Sequence, residues 1–340
     1  MQGETLESGK AIRVGVIGAG QWGKNHIRVY NELPEAELVC ISDLNGKALG
    51  VLENIYHCDT TTDYKQILDD KSIQAVSVCT PASTHYRIVK EALEKGKDVL
   101  VEKPITIKSD EGEKLVEMAM ESKRILMVGH IFRFNPAVLR LKEELAGGSL
   151  GKLNFFLSMR MGPRAPREDC GVIYDFATHD IDISNFFLNE MLPERVHATA
   201  GYFHQSKYDD AGFLTLEYPD NVMSHIVVSW LTPKKIREIV IVGGKKSVKL
   251  DYMTQELEFY DQGVVVKYDN FGKFSLSMRE GDVYKPYIRA EEPLKKELQH
   301  FIDCVASRRL PLVTGEIGVR TVRVLEKAME SIEKKRMVEF

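Results

Sequence analysis

The chain has 340 residues, 44% of them hydrophobic, enough for one large or two ordinary domains, which excludes an intrinsically disordered chain. A formal net charge of −4 excludes broad nucleic-acid binding while leaving room for a local basic pocket. Five cysteines, Cys40, Cys58, Cys79, Cys170 and Cys304, are scattered without a C-x-x-C pair, so no disulfide framework and no metal site is expected.

The opening "MQGETLESGK" is polar, without the basic-then-apolar order of a signal peptide, and reads as a short frayed N-terminus. No apolar run approaches the ~20 residues of a spanning helix. The expectation is a soluble cytoplasmic protein with no membrane partner.

From residue 11 to about 130, short apolar runs alternate with amphipathic charged segments, the pattern of a parallel sheet wrapped by helices. The strands expected are "IRVGVI" (12–17), "ELVCIS" (37–42), "QAVSVC" (74–79), "KDVLVE" (97–102) and "RILMVG" (124–129), nearly continuous in apolar residues as doubly covered strands should be. "THYRIVKEALEKG" (84–96) predicts a helix closed by Gly96.

After about residue 150 the apolar residues alternate: Leu214, Leu216 and Tyr218 against Thr215 and Glu217, then Val248, Leu250 and Tyr252 against Lys249 and Asp251. This predicts an antiparallel sheet with turns at "YPDN" (218–221), "GGKK" (243–246) and "YDQG" (260–263). Two helices, roughly 290–307 and 315–335, end the chain, separated by Pro311 and Gly315.

The fold class expected is therefore α/β. A Rossmann dinucleotide-binding domain would span 1–130 and an α+β domain with an open, mostly antiparallel sheet 131–340, its last helices packing back toward the first domain.

"VGVIGAGQWGKNH" places Gly18, Gly20 and Gly23 as G-x-G-x-x-G directly after a strand and at the start of a helix. Gly18 permits a tight turn, Gly20 lets backbone approach a pyrophosphate, and Gly23 allows close helix–strand packing. The next strand ends at Asp43, at the spacing expected of a carboxylate that accepts ribose hydroxyls and repels a 2′-phosphate. NAD is thus favoured over NADP. FAD stays open, but the second half offers no second dinucleotide segment.

"VLVEKPIT" ends a parallel strand with Glu102, Lys103 and Pro104, at the edge that faces the ligand crevice of such sheets. In "GVIYDFATHDIDI", Asp175, His179 and Asp182 stand at i, i+4 and i+7 and would share one helix face, with Asp180 turned about 100° away. Flanking carboxylates would raise the imidazole pKa and burial would lower it, giving a base poised near neutrality. Metal binding is the other reading of this helix, but no second ligand-rich segment completes a set. Before it, "MRMGPRAPREDC" supplies Arg160, Arg164 and Arg167, a cluster suited to bidentate pairing with phosphate oxygens.

Together "GAGQWGKNH", "TPASTHY", "ALEKGKDVLVEKP", "GHIFRFNP" and "DFATHDID" resemble the glucose-fructose oxidoreductase and inositol dehydrogenase family, Gfo/Idh/MocA, over nearly the whole chain. The resemblance implies an N-terminal Rossmann domain binding NAD or NADP and a C-terminal domain whose open sheet makes a homodimer or homotetramer. It implies that Lys103 and His179 are catalytic, with Asp175 the carboxylate one turn before. It further implies that Gln21, Trp22, Thr80, Pro81, His85, Glu102 and Lys103 line the cofactor. The run R-x-G-P, arginine, "GVIYDFATHDID" is similar to the branch that oxidises UDP-N-acetylglucosamine or its uronic acid at carbon 3, with Arg160, Arg164, Arg167, Asp175, His179 and Asp182 around the sugar nucleotide. Dehydrogenation of a free sugar or inositol is the nearer alternative. A non-catalytic dinucleotide-binding regulator is the more distant one, and the presence of both Lys103 and His179 argues against it.

Overall fold

The computed structural model describes residues 11–204, 207–261, 263–268, 274–279 and 281–340. The N-terminal residues read as frayed, and Gln262 of the expected turn at 260–263, lie outside the described residues. The chain divides into two compact units, Met1–Ile131 with Glu292–Arg323, and Phe132–Glu291 with Val324–Phe340.

In the first unit six parallel strands, β1 (Ile12–Ile17), β2 (Ala36–Ser42), β3 (Asp59–Thr61), β4 (Ala75–Val78), β5 (Asp98–Glu102) and β6 (Leu126–Gly129), lie in the order β3-β2-β1-β4-β5-β6. Val14, Val16, Val76, Val78, Val99 and Val101 are fully buried, as strands covered on both faces require. The winding direction reverses between β1 and β4, so the carboxyl ends of these two strands border the crevice where such sheets take ligands.

Helices α1 (Gln21–Glu32), α2 (Gly46–Tyr56), α3 (Lys65–Asp69), α4 (His85–Glu94) and α5 (Ser109–Glu121) connect the strands. Asn45 caps α2 by accepting from the Ala48 amide at 3.2 Å. α1 buries Ile27, Val29 and Tyr30, and the Tyr30 hydroxyl meets Ser77 Oγ at 2.7 Å, which satisfies both polar groups inside the core. The stretch 311–314 joins this unit through the Val128 amide, which donates to the Val313 carbonyl at 3.1 Å.

In the second unit the strands are β7 (Leu153–Met161), β8 (Arg195–Gly201), β9 (Ala211–Tyr218), β10 (Val222–Ser229), β11 (Ile236–Gly243), β12 (Ser247–Asp251), β13 (Glu256–Tyr260), β14 (Gly263–Tyr268), β15 (Phe274–Arg279), β16 (Val283–Tyr284) and β17 (Val338–Glu339). Nine form one sheet in the order β16-β13-β12-β11-β7-β10-β9-β8-β17, antiparallel except for the parallel pair β7–β10. β14 pairs with β15 in a separate two-stranded sheet. Tyr218 pairs with Val222 and Val242 with Ser247, which places hairpin turns at both expected sites, 218–221 and 243–246.

One face of the large sheet is buried: Phe156, Leu214, Leu216, Ile226, Val228, Ile239, Ile241, Val248 and Leu250 are at most 2% exposed. They share a single hydrophobic core with Val138 and Leu141 of α6 (Pro136–Ala146) and Ile181, Ile183 and Phe187 of α7 (Thr178–Phe187). Asn135 caps α6 through the amides of Ala137 and Val138, with Pro136 in the first turn where its missing N–H costs nothing.

Gly23 is where the first unit tolerates no side chain, since a Cβ there would meet the Gly18 carbonyl oxygen at 1.8 Å, whereas one at Gly20 would meet nothing within 4 Å. The obstacle is backbone and cannot swing aside. Gly23→Ala should therefore lower stability by about 1–3 kcal/mol, and Gly20→Ala by less than about 0.5 kcal/mol. Urea unfolding of the two variants checks this, and equal midpoints would contradict it.

Candidate active site

The glycine loop runs from β1 into α1. Gly18 has φ +95°, a conformation only glycine adopts cheaply, and a Cβ there would meet the Cys79 carbonyl at 2.8 Å. The N-cap residue Gly20 offers no side-chain cap to α1, and the first turn carries no acidic residue. The leading amides of α1 are thus left to an external anion, with open space above Gly20. This fits a dinucleotide pyrophosphate. Gln21 and Trp22 are exposed beside it. Asp43 accepts from the Ala19 amide at 2.7 Å and, through its other oxygen, from the Asn45 amide at 2.8 Å. It therefore fixes the loop, while each carboxylate oxygen keeps a second lone pair for a ribose hydroxyl.

At the end of β5, Glu102 accepts from the Lys103 amide at 3.2 Å and meets His26 Nε2 at 3.1 Å. Burial pushes the Glu102 carboxyl upward, but the hydrogen bond and charge of His26 together with Lys103 outweigh it and hold the group below its usual value. Thr80 and Pro81 stand at the partly exposed rim after β4. His85 is not at that rim. It is 1% exposed, with Nδ1 at 2.8 Å from the Pro104 carbonyl and Nε2 at 2.9 Å from that of Thr80, so it ties the two loops together from beneath.

In the second unit the helix carrying the acids does not begin as an α-helix. Ile173–Ala177 forms a π turn, which runs into α7. A π turn inserts extra backbone, so the i, i+4, i+7 face expected of Asp175, His179 and Asp182 does not persist. Asp209 caps this turn: its Oδ2 accepts from the Ile173 amide at 2.8 Å, and its carbonyl from the Val172 amide at 2.9 Å. Gly171 is required beside it, because a Cβ would lie 2.0 Å from Asp209 Oδ1.

All ten residues of α7 are buried, and each carboxylate of the segment meets arginine. Asp182 takes Arg133, at 2.9 Å from Nε and 2.6 Å from Nη2, both side chains 1% exposed. Asp180 takes Arg160, at 2.7 Å from Nε and 3.2 Å from Nη2. Asp175 takes Arg164 at 2.9 Å and Arg167 at 3.4 Å.

Two expectations are corrected here. Arg160 is 2% exposed and committed to Asp180, so it is structural rather than a substrate ligand. Asp182 is likewise enclosed with Arg133 and is not set to bind a substrate hydroxyl. Both corrections have one cause, since a buried charge must be neutralised within hydrogen-bond reach.

His179 is 8% exposed and packs edge-on against Phe132 with ring centroids 4.9 Å apart. Phe132 also contacts the Tyr252 ring at 4.9 Å and lies 4.3 Å from the Arg160 guanidinium. Arg237, which the sequence reading did not single out, covers the Phe176 ring at 4.5 Å, with Arg164 at 5.8 Å from the same ring. Burial and the neighbouring Arg160 charge pull Arg237 down to about 10. It stands in "KKIREIV", where only the β-strand alternation hints that its side chain points inward. Arg164 and Arg167 keep about a third of their surface exposed, the latter also bidentate to Asp169 at 2.7 and 2.6 Å. Among the described residues no group of three or more histidine, cysteine or acidic side chains is placed to hold a metal ion. No helix among them is long and apolar enough to cross a membrane.

Residues 12–130 match the model of an oxidoreductase family with an NAD-binding Rossmann fold, and 142–340 match the C-terminal α/β domain of the same family. The chain is 26% identical over 339 residues to inositol 2-dehydrogenase of Rhizobium meliloti (strain 1021), covering 96% of this chain and 98% of the relative. It is 25% identical over 324 residues to UDP-N-acetylglucosamine 3-dehydrogenase of Acidithiobacillus ferrooxidans, covering 95% and 97%. A solved structure of that enzyme superposes with a TM-score of 0.81 at 24% identity, over 95% of this chain and 98% of the other.

Removing one partner of the Arg160–Asp180 pair strands a buried charge. Asp180→Asn should lower stability by about 3–5 kcal/mol, and Arg160→Met with Asp180→Leu should recover much of that loss, as read by urea unfolding. The Arg167 guanidinium, through its hydrogen bonds, holds the Asp169 carboxyl below its usual 3.8. A depressed folded value means that this pair stabilises above about pH 4, and that the gain is lost as pH falls through the lower folded value. Asp169→Asn should flatten that part of the acid limb of a melting-temperature profile, and an unchanged limb would count against the pair.

Proposed function

Since the chain belongs to the Gfo/Idh/MocA oxidoreductase family, we propose that it is an NAD-dependent dehydrogenase that oxidises a ring hydroxyl of a UDP-sugar, UDP-N-acetylglucosamine or its uronic acid at carbon 3. The observation that carries the substrate reading is the placement of Arg164 and Arg167 on Asp175, four residues before His179. The guanidinium groups suited to a diphosphate are thereby delivered beside the carboxylate assigned to the sugar.

Bound NAD supplies the hydride acceptor for the carbon being oxidised. In this reading the His179 imidazole takes the hydroxyl proton, and the Lys103 ammonium donates a hydrogen bond to the same oxygen as charge develops there. Asp175 positions His179 or binds a neighbouring hydroxyl, and Phe132 packs edge-on against the imidazole. Asp43 selects NAD by accepting from both ribose hydroxyls. The sheet face that leaves Phe155, Phe213 and Met223 exposed is the surface proposed for a homodimer or homotetramer. The five free cysteines support the proposed cytoplasmic location.

Oxidation of a free inositol is the second reading. Arg164 and Arg167 already have carboxylate partners, and an inositol 2-dehydrogenase is as similar to this chain as the sugar-nucleotide enzyme is.

The test is the reduced-nicotinamide absorbance of the purified protein with NAD and each of UDP-N-acetylglucosamine, its uronic acid, free N-acetylglucosamine and myo-inositol. Signal with the UDP-sugars alone supports the proposal, and signal with inositol or the free sugar overturns the substrate while keeping the chemistry. His179→Ala should lower turnover by roughly 10²–10⁴-fold with NAD affinity unchanged, and near-normal turnover would remove His179 from the reaction. Charge reversal at Arg164 and Arg167 should raise KM for a UDP-sugar at least tenfold and leave KM for NAD unaltered.

A further inference from the structure

The first unit carries a second concave surface, at the amino ends of its strands and so at the opposite edge of the sheet from the glycine loop. A cavity of about 800 Å³ lies there, bordered by the segments that lead into β4, β5 and β6 and by the end of helix Pro293–Ser307. Six cationic side chains line it, Lys71, Lys95, Lys97, Lys123, Arg124 and Arg308, against two carboxylates, Asp69 and Asp98.

Both carboxylates are already engaged. Asp69 pairs with Lys95 at 2.6 Å, and Asp98 takes Arg308 at 2.6 and 3.0 Å as well as the Ile125 amide at 2.7 Å. Lys97 is 3% exposed, and its ammonium donates to the Asp70 and Ile73 carbonyls. Lys71, Lys123 and Arg124 make no ion pair among the described residues. Arg124 lies across Gly96, whose φ of +73° and missing side chain let the guanidinium approach, with Nη2 3.5 Å from where a Cβ would sit. Lys123 and Arg308 occupy left-handed positions, φ 54° and 57°, just past helices, where glycine is the ordinary residue. Two cations thus stand where the backbone favours having no side chain at all.

We propose that this cavity is a binding site for a multiply charged small anion, a phosphorylated metabolite held through its phosphate groups, separate from the dinucleotide and substrate sites. Its cations converge on a concavity, and its carboxylates are neutralised within the wall. An anion of at least two charges matches the unpaired Lys71, Lys123 and Arg124. β5 begins in this wall with Asp98 and ends at Glu102, directly before Lys103, so one strand spans both sites.

The experiment is calorimetric titration of the full-length protein with inorganic pyrophosphate, in saturating NAD to fill the glycine loop and in an Arg164→Glu/Arg167→Glu background to remove the arginine loop. Binding should persist there, weaken more than tenfold with Lys71→Gln/Arg124→Gln, and protect amides 95–98 and 122–125 from hydrogen exchange. Lys123→Gly, which removes the ammonium with its side chain and leaves a residue at ease in the left-handed position, should weaken binding without lowering the unfolding midpoint, so loss of affinity cannot be confused with loss of fold. Absence of heat and protection, or an affinity indifferent to all three substitutions, would overturn the site.

Discussion

The second unit depends on one constraint, that the segment from Asp175 to Asp182 is buried although three of its eight residues are aspartates. Carboxylates removed from water must be matched by cations at hydrogen-bond distance, and arginine is the side chain that does this with a planar, bidentate fork. Arg133 comes from the chain just before α6, Arg160 from β7, and Arg164 and Arg167 from the stretch that leaves that strand. Helix, sheet and loop are thereby fixed to one another by charge. The sheet supplies apolar area, but Arg160 and its partner set which way the helix is rotated over it. His179 lies between the committed acids and packs edge-on against Phe132, which itself lies against the Arg160 guanidinium.

The dinucleotide half was legible because its signals are local. "IRVGVI" followed by three spaced glycines and an acid at the end of the next strand states both an element order and a ligand, and each of the five expected strands is present to within two residues at either end. β3 went unread, since three residues are too few for any periodicity to show. Two of the turns in the second half were equally plain, because proline, glycine and asparagine break the alternation where the hairpins fold back.

The acidic helix was legible in kind and not in geometry. A helical wheel drawn at 3.6 residues per turn puts Asp175, His179 and Asp182 together, and nothing local in "GVIYDFATHDIDI" announces a π turn at 173–177. Its cause is remote: Asp209, 36 residues on, caps the turn, and Gly171 makes room for that carboxylate. The fates of Arg160 and Asp182 were hidden for the same reason, because pairing across 20 and 49 residues leaves no mark on either segment alone. The arginines before the acidic helix thus divide into Arg164 and Arg167, which keep open surface, and Arg160, which the acids have already claimed.

The π turn also bears on how this segment can change through descent. Each residue of an α-helix advances the wheel by about 100°, whereas a π turn carries extra backbone. A one-residue deletion within 173–177 can thus be absorbed as the turn tightens to α geometry, while one between Thr178 and Asp180 would turn the rest of α7 beneath the arginines of β7 and of the chain before α6. Asp180 and Asp182 would swing away from Arg160 and Arg133 together. Length can therefore change in the π turn without disturbing the two buried pairs, but not in the single helical turn that leads from it to the first of the paired aspartates.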